Sequence, residues 1–227
     1  MPITLADARS DLRARLDETT PNFWTDDQLN GWVNEACFDI AKRTESLQQL
    51  ATIPATALVR QYFLPADVVR IHKVEYTAPN SVQIYPLEYR GLQEMDAIWG
   101  LNQLTSNIYP SYWTTWFSPP TLQMLVFPVP ASAGQFNVWY YRLPATVTKD
   151  TTNIDCPEGW WDAVVLYAEY VAKRKDADPD WKDAKDLYLE KLQQLLDTSR
   201  NWTDSAGVIS TGAAQVPYWL YGGSWEF

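Results

Sequence analysis

Two adjacent carboxylates, Asp26-Asp27, follow Trp24-Thr25 and are the most compact acidic group in the chain able to do acid–base work. Their setting gives them another job. Thr25 and Gln28, three residues apart, fit a capping box, and carboxylates in a first helical turn complement the helix dipole. A thiol nucleophile would have to be Cys37 or Cys156; Cys156 sits at a helix start, where a thiol pKa can fall, yet an inert thiol is the plainer reading of both. The single histidine, His72, lies between Arg70 and Lys73 in an alternating stretch with no Cys or Ser beside it, so no nucleophile–base pair is offered. Glycine-rich phosphate loops, dinucleotide fingerprints and zinc-protease helix motifs are missing from the sequence. Lys173-Arg174-Lys175 can touch a phosphate backbone but reads as the solvated end of a helix. The 12 tryptophans keep one binding chemistry open, stacking on sugars, and with it the alternative of a carbohydrate-binding β-sandwich module. We therefore expect no enzyme, no cofactor and no metal.

Composition narrows the classes further. The 28 acidic against 18 basic residues leave a net charge of -10, which argues against a protein that grips nucleic acid through its phosphates. Cys37 and Cys156 have no metal-type spacing, so neither a disulfide framework nor a zinc site is expected, and a reducing cytosolic setting is the default. Met1-Pro2-Ile3-Thr4 does not open a signal peptide, and no stretch has the length and apolarity of a membrane span.

The elements that must position these residues change character along the chain. Residues 4–17 predict a first helix, with Thr4 and Asp7 as a capping pair, Leu5, Ala8, Leu12 and Leu16 on one face, and Asp11, Arg13, Arg15 and Asp17 on the other. A second helix is expected from Asp26 to Leu50, striped by Leu29, Trp32, Val33, Ala36, Ile40 and Leu47, with Pro54 closing the pair. From Ala55 to Thr152 the period becomes two. Strands are expected at 58–64, 68–76, 82–85, 112–118, 121–127 and 136–143, with one short helix within Leu87–Trp99. Helices return at Cys156-Pro157, Pro157 being suited to a first helical position; the first of them ends at Lys173-Arg174-Lys175. The second starts after Asp178-Pro179-Asp180, is lined by Trp181, Ala184, Tyr188, Leu192 and Leu195, and stops near Arg200. The fold class is thus α+β: an antiparallel helical bundle (1–53 and 156–200) with an inserted β-sandwich or barrel-like domain (54–155) and an extended C-terminal arm (201–227).

Two stretches are unusual. From Ala97 through Tyr141 there is no Asp, Glu, Lys or Arg but there are four tryptophans, as in a sheet covered within its own fold or one covered by another chain. Residues 205–225 are also uncharged, rich in aromatics and broken by glycines; such a segment docks on another chain or folds back on its own body.

Read together, the Trp24-Thr25-Asp26-Asp27-Gln28-Leu29 opening, Glu35-Ala36, Tyr62–Ile71, Pro86-Leu87-Glu88-Tyr89, Met95–Gly100, Phe127-Pro128-Val129-Pro130, Tyr140–Pro144 and the closing helical pair resemble the head-to-tail adaptor (connector) proteins of tailed bacteriophages. The resemblance implies a virion protein of the neck, made in the host cytoplasm. It implies a subunit of a ring, commonly twelve-fold (dodecameric), joining the portal protein to a tail or nozzle protein around a channel for double-stranded DNA. It also implies a portal-docking arm, for which Val208, Ile209, Val216, Pro217, Tyr218, Trp219, Leu220, Tyr221, Trp225 and Phe227 are the candidates. Trp99, Tyr109, Tyr112, Trp113, Trp116 and Phe117 are the candidates for a subunit or tail interface.

Overall fold

Thr4 and Asp7 open α1 (Leu5–Arg15) as their spacing predicts: the Asp7 N–H donates to Thr4 Oγ1 at 3.2 Å and the Thr4 N–H to Asp7 Oδ2 at 3.2 Å. The computed structural model describes residues 3–18, 23–99, 106–107, 109–118, 121–157 and 159–205. Thr25 and Gln28 repeat the device at α2 (Asp26–Thr44), with reciprocal bonds of 3.3 and 3.1 Å. The α2 stripe of Leu29, Trp32, Val33, Ala36 and Ile40 is buried. It meets Leu5, Ala8 and Leu12 of α1, Val164, Val165, Ala168 and Ala172 of α4 (Trp161–Lys175), and Tyr188 and Leu192 of α5 (Trp181–Ser205) in one core.

Four expectations for the helical part are corrected. Helix α2 stops at Thr44 rather than Leu50, because Glu45 turns left-handed (φ 49°, ψ 38°) and its N–H closes on the Ala41 carbonyl at 3.0 Å. Leu47 therefore leaves the helix. Pro54 does not follow a helix but lies in an edge strand, where a missing N–H costs no ladder bond. Pro157 lies in a turn ahead of α4, whose Trp160 N–H bonds the Pro157 carbonyl at 3.1 Å. Finally, α5 continues past Arg200 to Ser205.

The strands are β1 (Gln48–Ala55), β2 (Gln61–Phe63), β3 (Val68–Thr77), β4 (Ile84–Tyr89), β5 (Ser106–Asn107), β6 (Tyr112–Ser118), β7 (Thr121–Phe127), β8 (Val129–Pro130) and β9 (Gly134–Arg142). Seven form one sheet in the order β1-β9-β3-β4-β6-β7-β2, antiparallel except for β4 with β6, while β5 and β8 pair separately. Leu87 belongs to β4, and the short helix, α3 (Leu92–Trp99), starts later. Although β2 and β3 are separated only by a short turn, they do not pair with each other: β2 lies on β7 and β3 on β9 and β4.

That sheet is curled into a nearly closed barrel. Five strand spacings separate β9 from β2 along the sheet, about 24 Å if it were flat, yet Phe136 of β9 and Tyr62 of β2 hold their ring centroids 4.9 Å apart. Tyr62, Val74, Tyr76, Trp113, Met124, Val126, Phe136 and Val138 fill the interior. At Gly134 a Cβ would meet the Thr77 carbonyl oxygen at 2.6 Å, so glycine is what lets β9 begin this close to β3.

Barrel and helices are tied by polar side chains. Arg142 makes a bidentate pair with Asp155 (2.5 and 2.8 Å), and Asp155 also accepts the Ala145 N–H at 2.7 Å. Asn34 of α2 clasps the Val147 backbone with both ends of its amide, at 2.8 and 2.9 Å.

Candidate interaction surfaces

The residues singled out for chemistry are occupied structurally. Arg13, expected to face water, is buried beneath the start of α2: its Nη2 donates to Asp26 Oδ1 at 2.7 Å and to the Trp24 carbonyl at 2.9 Å, and Nη1 lies 3.4 Å from Glu18. Asp26 is therefore a partner for Arg13, and Arg9 approaches it at 3.5 Å. Asp27 is exposed in the same turn. Burial pushes the Cys37 thiol up to about 12 and raises Cys156 as well, which keeps both as poorly nucleophilic thiols. His72 sits beside the Tyr141 ring, 6.0 Å between centroids. In the basic triplet, Lys173 pairs with Glu169 at 2.9 Å and Lys175 covers the Trp32 ring, leaving Arg174 in solvent. Among the described residues no three His, Cys, Asp or Glu side chains converge as a metal site, and no helix is long and apolar enough to cross a membrane.

Two carboxylates of α2 are enclosed by tyrosines. Tyr188 donates to Asp39 at 2.5 Å and Tyr167 to Glu35 at 3.0 Å, and burial together with these bonds raises both phenol pKa values. Tyr170 stacks on Tyr188, which pins α5 against α4. These rings are packing.

The charge-free stretch divides by strand parity. Trp113 points into the barrel and is only 5 % exposed, on the interior row with Val126. Tyr109 stacks on Tyr85, 3.8 Å between centroids, and Tyr112 lies half-buried under the Arg90 guanidinium. Toward the β6–β7 turn the chain behaves differently: Trp116 is 48 % and Phe117 65 % exposed. Phe63 of β2, 67 % exposed, joins Trp116, because Phe63 and Trp116 flank Gln123 on adjacent strands in register. Phe63 was missed from sequence; its membership in this patch comes from the β2–β7 pairing, which no local pattern displays. Phe63 and Trp116 share one uncharged aromatic face of the sheet, while Phe117, of the opposite parity, is exposed at the end of β6 on the other face. The indole of Trp99 and all ten arm candidates, Val208, Ile209, Val216, Pro217, Tyr218, Trp219, Leu220, Tyr221, Trp225 and Phe227, lie outside the described residues.

Trp116 and Trp139 are the exposed indoles among the described residues and stand three strand positions apart on a curving sheet, so they make no shared stacking platform for a sugar. A comparison with curated proteins gives no match. Among solved structures the chain is similar to one described as the neck of an empty GTA particle computed with C6 symmetry, at 14% identity over 76% of this chain and 83% of that one. The TM-score is 0.29, a likeness too low to bear on fold or function. The family comparison is decisive: the model of the SU10 adaptor protein family matches residues 3–215, nearly the whole chain. The protein belongs to the SU10 adaptor protein family and serves as a structural head-to-tail adaptor of the phage virion.

Proposed function

We propose that copies of this chain form a ring, dodecameric in the intact particle, that seats on the portal protein, receives a tail or nozzle protein and surrounds the path of double-stranded DNA without binding it. The subunit is made in the host cytoplasm and joins the neck. In this reading residues 1–53 and 156–200 act as an antiparallel helical bundle that supplies ring contacts, residues 54–155 form the inserted β-rich domain, and residues 201–227 are the arm that docks on the portal. The observation that carries it is the pair of exposed aromatics Phe63 and Trp116 on one sheet face, free of charge on a chain of net charge -10.

The test is co-sedimentation with the portal of the same genome, using the full chain and a version ending at Ser205. Binding by the full chain in a fixed high stoichiometry, lost on shortening, is the expected result. Failure of the full chain to bind any portal sinks the portal assignment; equal binding by both versions removes the arm from it.

A further inference from the structure

Opposite ends of α2 carry complementary surfaces. The first lies on the outer face of the sheet, where β1, β9 and β3 run side by side. One register row there reads Leu50, Trp139 and Lys73, and the next Gln48, Tyr141 and Arg70. Leu50 is 43 % and Trp139 42 % exposed. The Arg70 guanidinium lies over the Tyr141 ring, and His72 stands beside the same ring. The carboxylates on this face are already taken: Glu75 accepts from Trp139 Nε1 at 3.2 Å and pairs with Lys73, and Glu45 pairs with Arg70. In both ion pairs the cation is about half exposed and the carboxylate is the more covered partner. The face therefore offers two cations around an open apolar pair.

The second surface lies where α2 begins. A groove of about 250 Å³ separates the end of α1 from the turn between α4 and α5, with Leu16, Trp24 and Ala172 in its wall. Its two cations are engaged within the fold, Arg15 at 3.7 Å and Lys173 at 2.9 Å from Glu169. Asp17, Asp176, Asp178 and Asp180 also line it, and none of them has an ion pair among the described residues. Beside the groove Phe23, 64 % exposed, meets Trp24 edge to face with ring centroids 4.5 Å apart. This end offers carboxylates around an open phenyl ring.

Trp24 precedes α2 and Glu45, the partner of Arg70, follows it, so 19 helical residues, about 28 Å, separate the two surfaces. One chain cannot bring its own pair together. A second copy can, and each side supplies what the other lacks in charge and in apolar contact. We propose that in the ring the acidic end of one copy seats on the β1-β9-β3 face of its neighbour, with Phe23 against Leu50 and Trp139 and the groove carboxylates toward Arg70, His72 and Lys73. The contact rests on the ring reading above and supplies its neighbour-to-neighbour surface. It is heterologous, so every copy uses each surface once and a closed ring leaves neither free. Phe63 and Trp116, on β2 and β6, take no part in it.

The test is sedimentation velocity of the full chain from about 20 μM to about 1 mM at about 50 mM salt, where ionic contacts are least screened. Two reversed variants are compared with wild type, Arg70→Glu with His72→Glu, and Asp17→Lys with Asp176→Lys. Lys73 is kept so that Glu75 retains its partner. The expected result is self-association that weakens at least about tenfold in either variant alone and returns to within about threefold of wild type when the two are mixed, since intact then meets intact and reversed meets reversed. Phe23→Ser, a change at an exposed side chain that alters no charge, weakens association at least about fivefold. Unchanged association in the variants, a mixture that stays apart, or a wild type that is monomeric over the whole range overturns the contact. Counting copies held on the portal of the same genome separates this from the ring reading. A complete ring built from either variant alone overturns the contact and leaves the ring; a wild type that self-associates as expected yet gathers in no fixed number on the portal overturns the ring and leaves the pairwise contact.

Discussion

At the scale of single residues, Asp155 ties the end of β9 to the segment that leads into α4. Its carboxylate takes both ends of the Arg142 guanidinium and the Ala145 N–H, and those bonds, the arginine first, hold its pKa below the usual carboxylate range. Asp155→Asn keeps the shape and removes the charge. Charge-assisted bonds at a partly exposed site place the loss at about 1–2 kcal/mol, a fall in Tm of about 3–6 °C by thermal denaturation at pH 7. Because the folded value is lowered, the contribution is complete above the unfolded carboxylate value near 3.9 and disappears as pH falls through the folded one. Wild type and variant therefore converge as the pH is lowered through the folded value. A gap that persists there would assign the loss to packing rather than to the ion pair.

Among elements, the helix starts were the most legible part of the sequence and the strand pairing the least. Thr4-Asp7 and Thr25-Gln28 act over three residues, so spacing alone reveals them, and both capping boxes are formed. The end of α2 was not legible, since Leu47 continues the apolar repeat while the left-handed turn at Glu45, a residue with no strong preference for it, overrides that repeat. Alternation located most strands, but Trp113 and Trp116 differ only in parity, and their opposite fates, core and surface, depend on β7 register set far along the chain. Arg13 misled for a similar reason: its partners Glu18 and Asp26 flank the connection into the next helix, which a helical wheel does not represent. The capping argument makes its own forecast. Thr25→Ala removes the acceptor for the Gln28 N–H at the start of the central helix and should cost about 1 kcal/mol, about 2–4 °C in Tm, with the far-UV spectrum at 20 °C unchanged. A variant as stable as wild type would show that the α2 stripe alone holds that end.

For the whole molecule the deciding quantity is charge and its placement. Acid outnumbers base on α2, on α5 and in the turn between α4 and α5, where Asp176, Asp178 and Asp180 stand, whereas α1 and α4 carry a small excess of base and the stretch from Ala97 through Tyr141 carries no charge. Several of the cations are engaged by carboxylates: Arg9 by Asp150, Arg13 by Asp26, Arg142 by Asp155, Lys173 by Glu169 and Lys191 by Asp162. Such a subunit has little to offer a phosphate backbone. Proteins that bind DNA without sequence preference do so through released counterions, with Kd of about 0.1 mM to 1 μM at physiological salt and tighter at lower salt. We expect this chain to leave the mobility of a duplex fragment unchanged at about 10 μM protein and 50 mM salt, conditions that favour any electrostatic grip. In the proposed placement around a DNA path that lack of affinity would serve the role, because each retained contact would slow the passage of the genome. A shift that appears at 50 mM salt and vanishes at 200 mM would mean that Arg174 and its exposed neighbours form a DNA-facing track, and the inner wall of the ring would then have to be assigned to the end of α4.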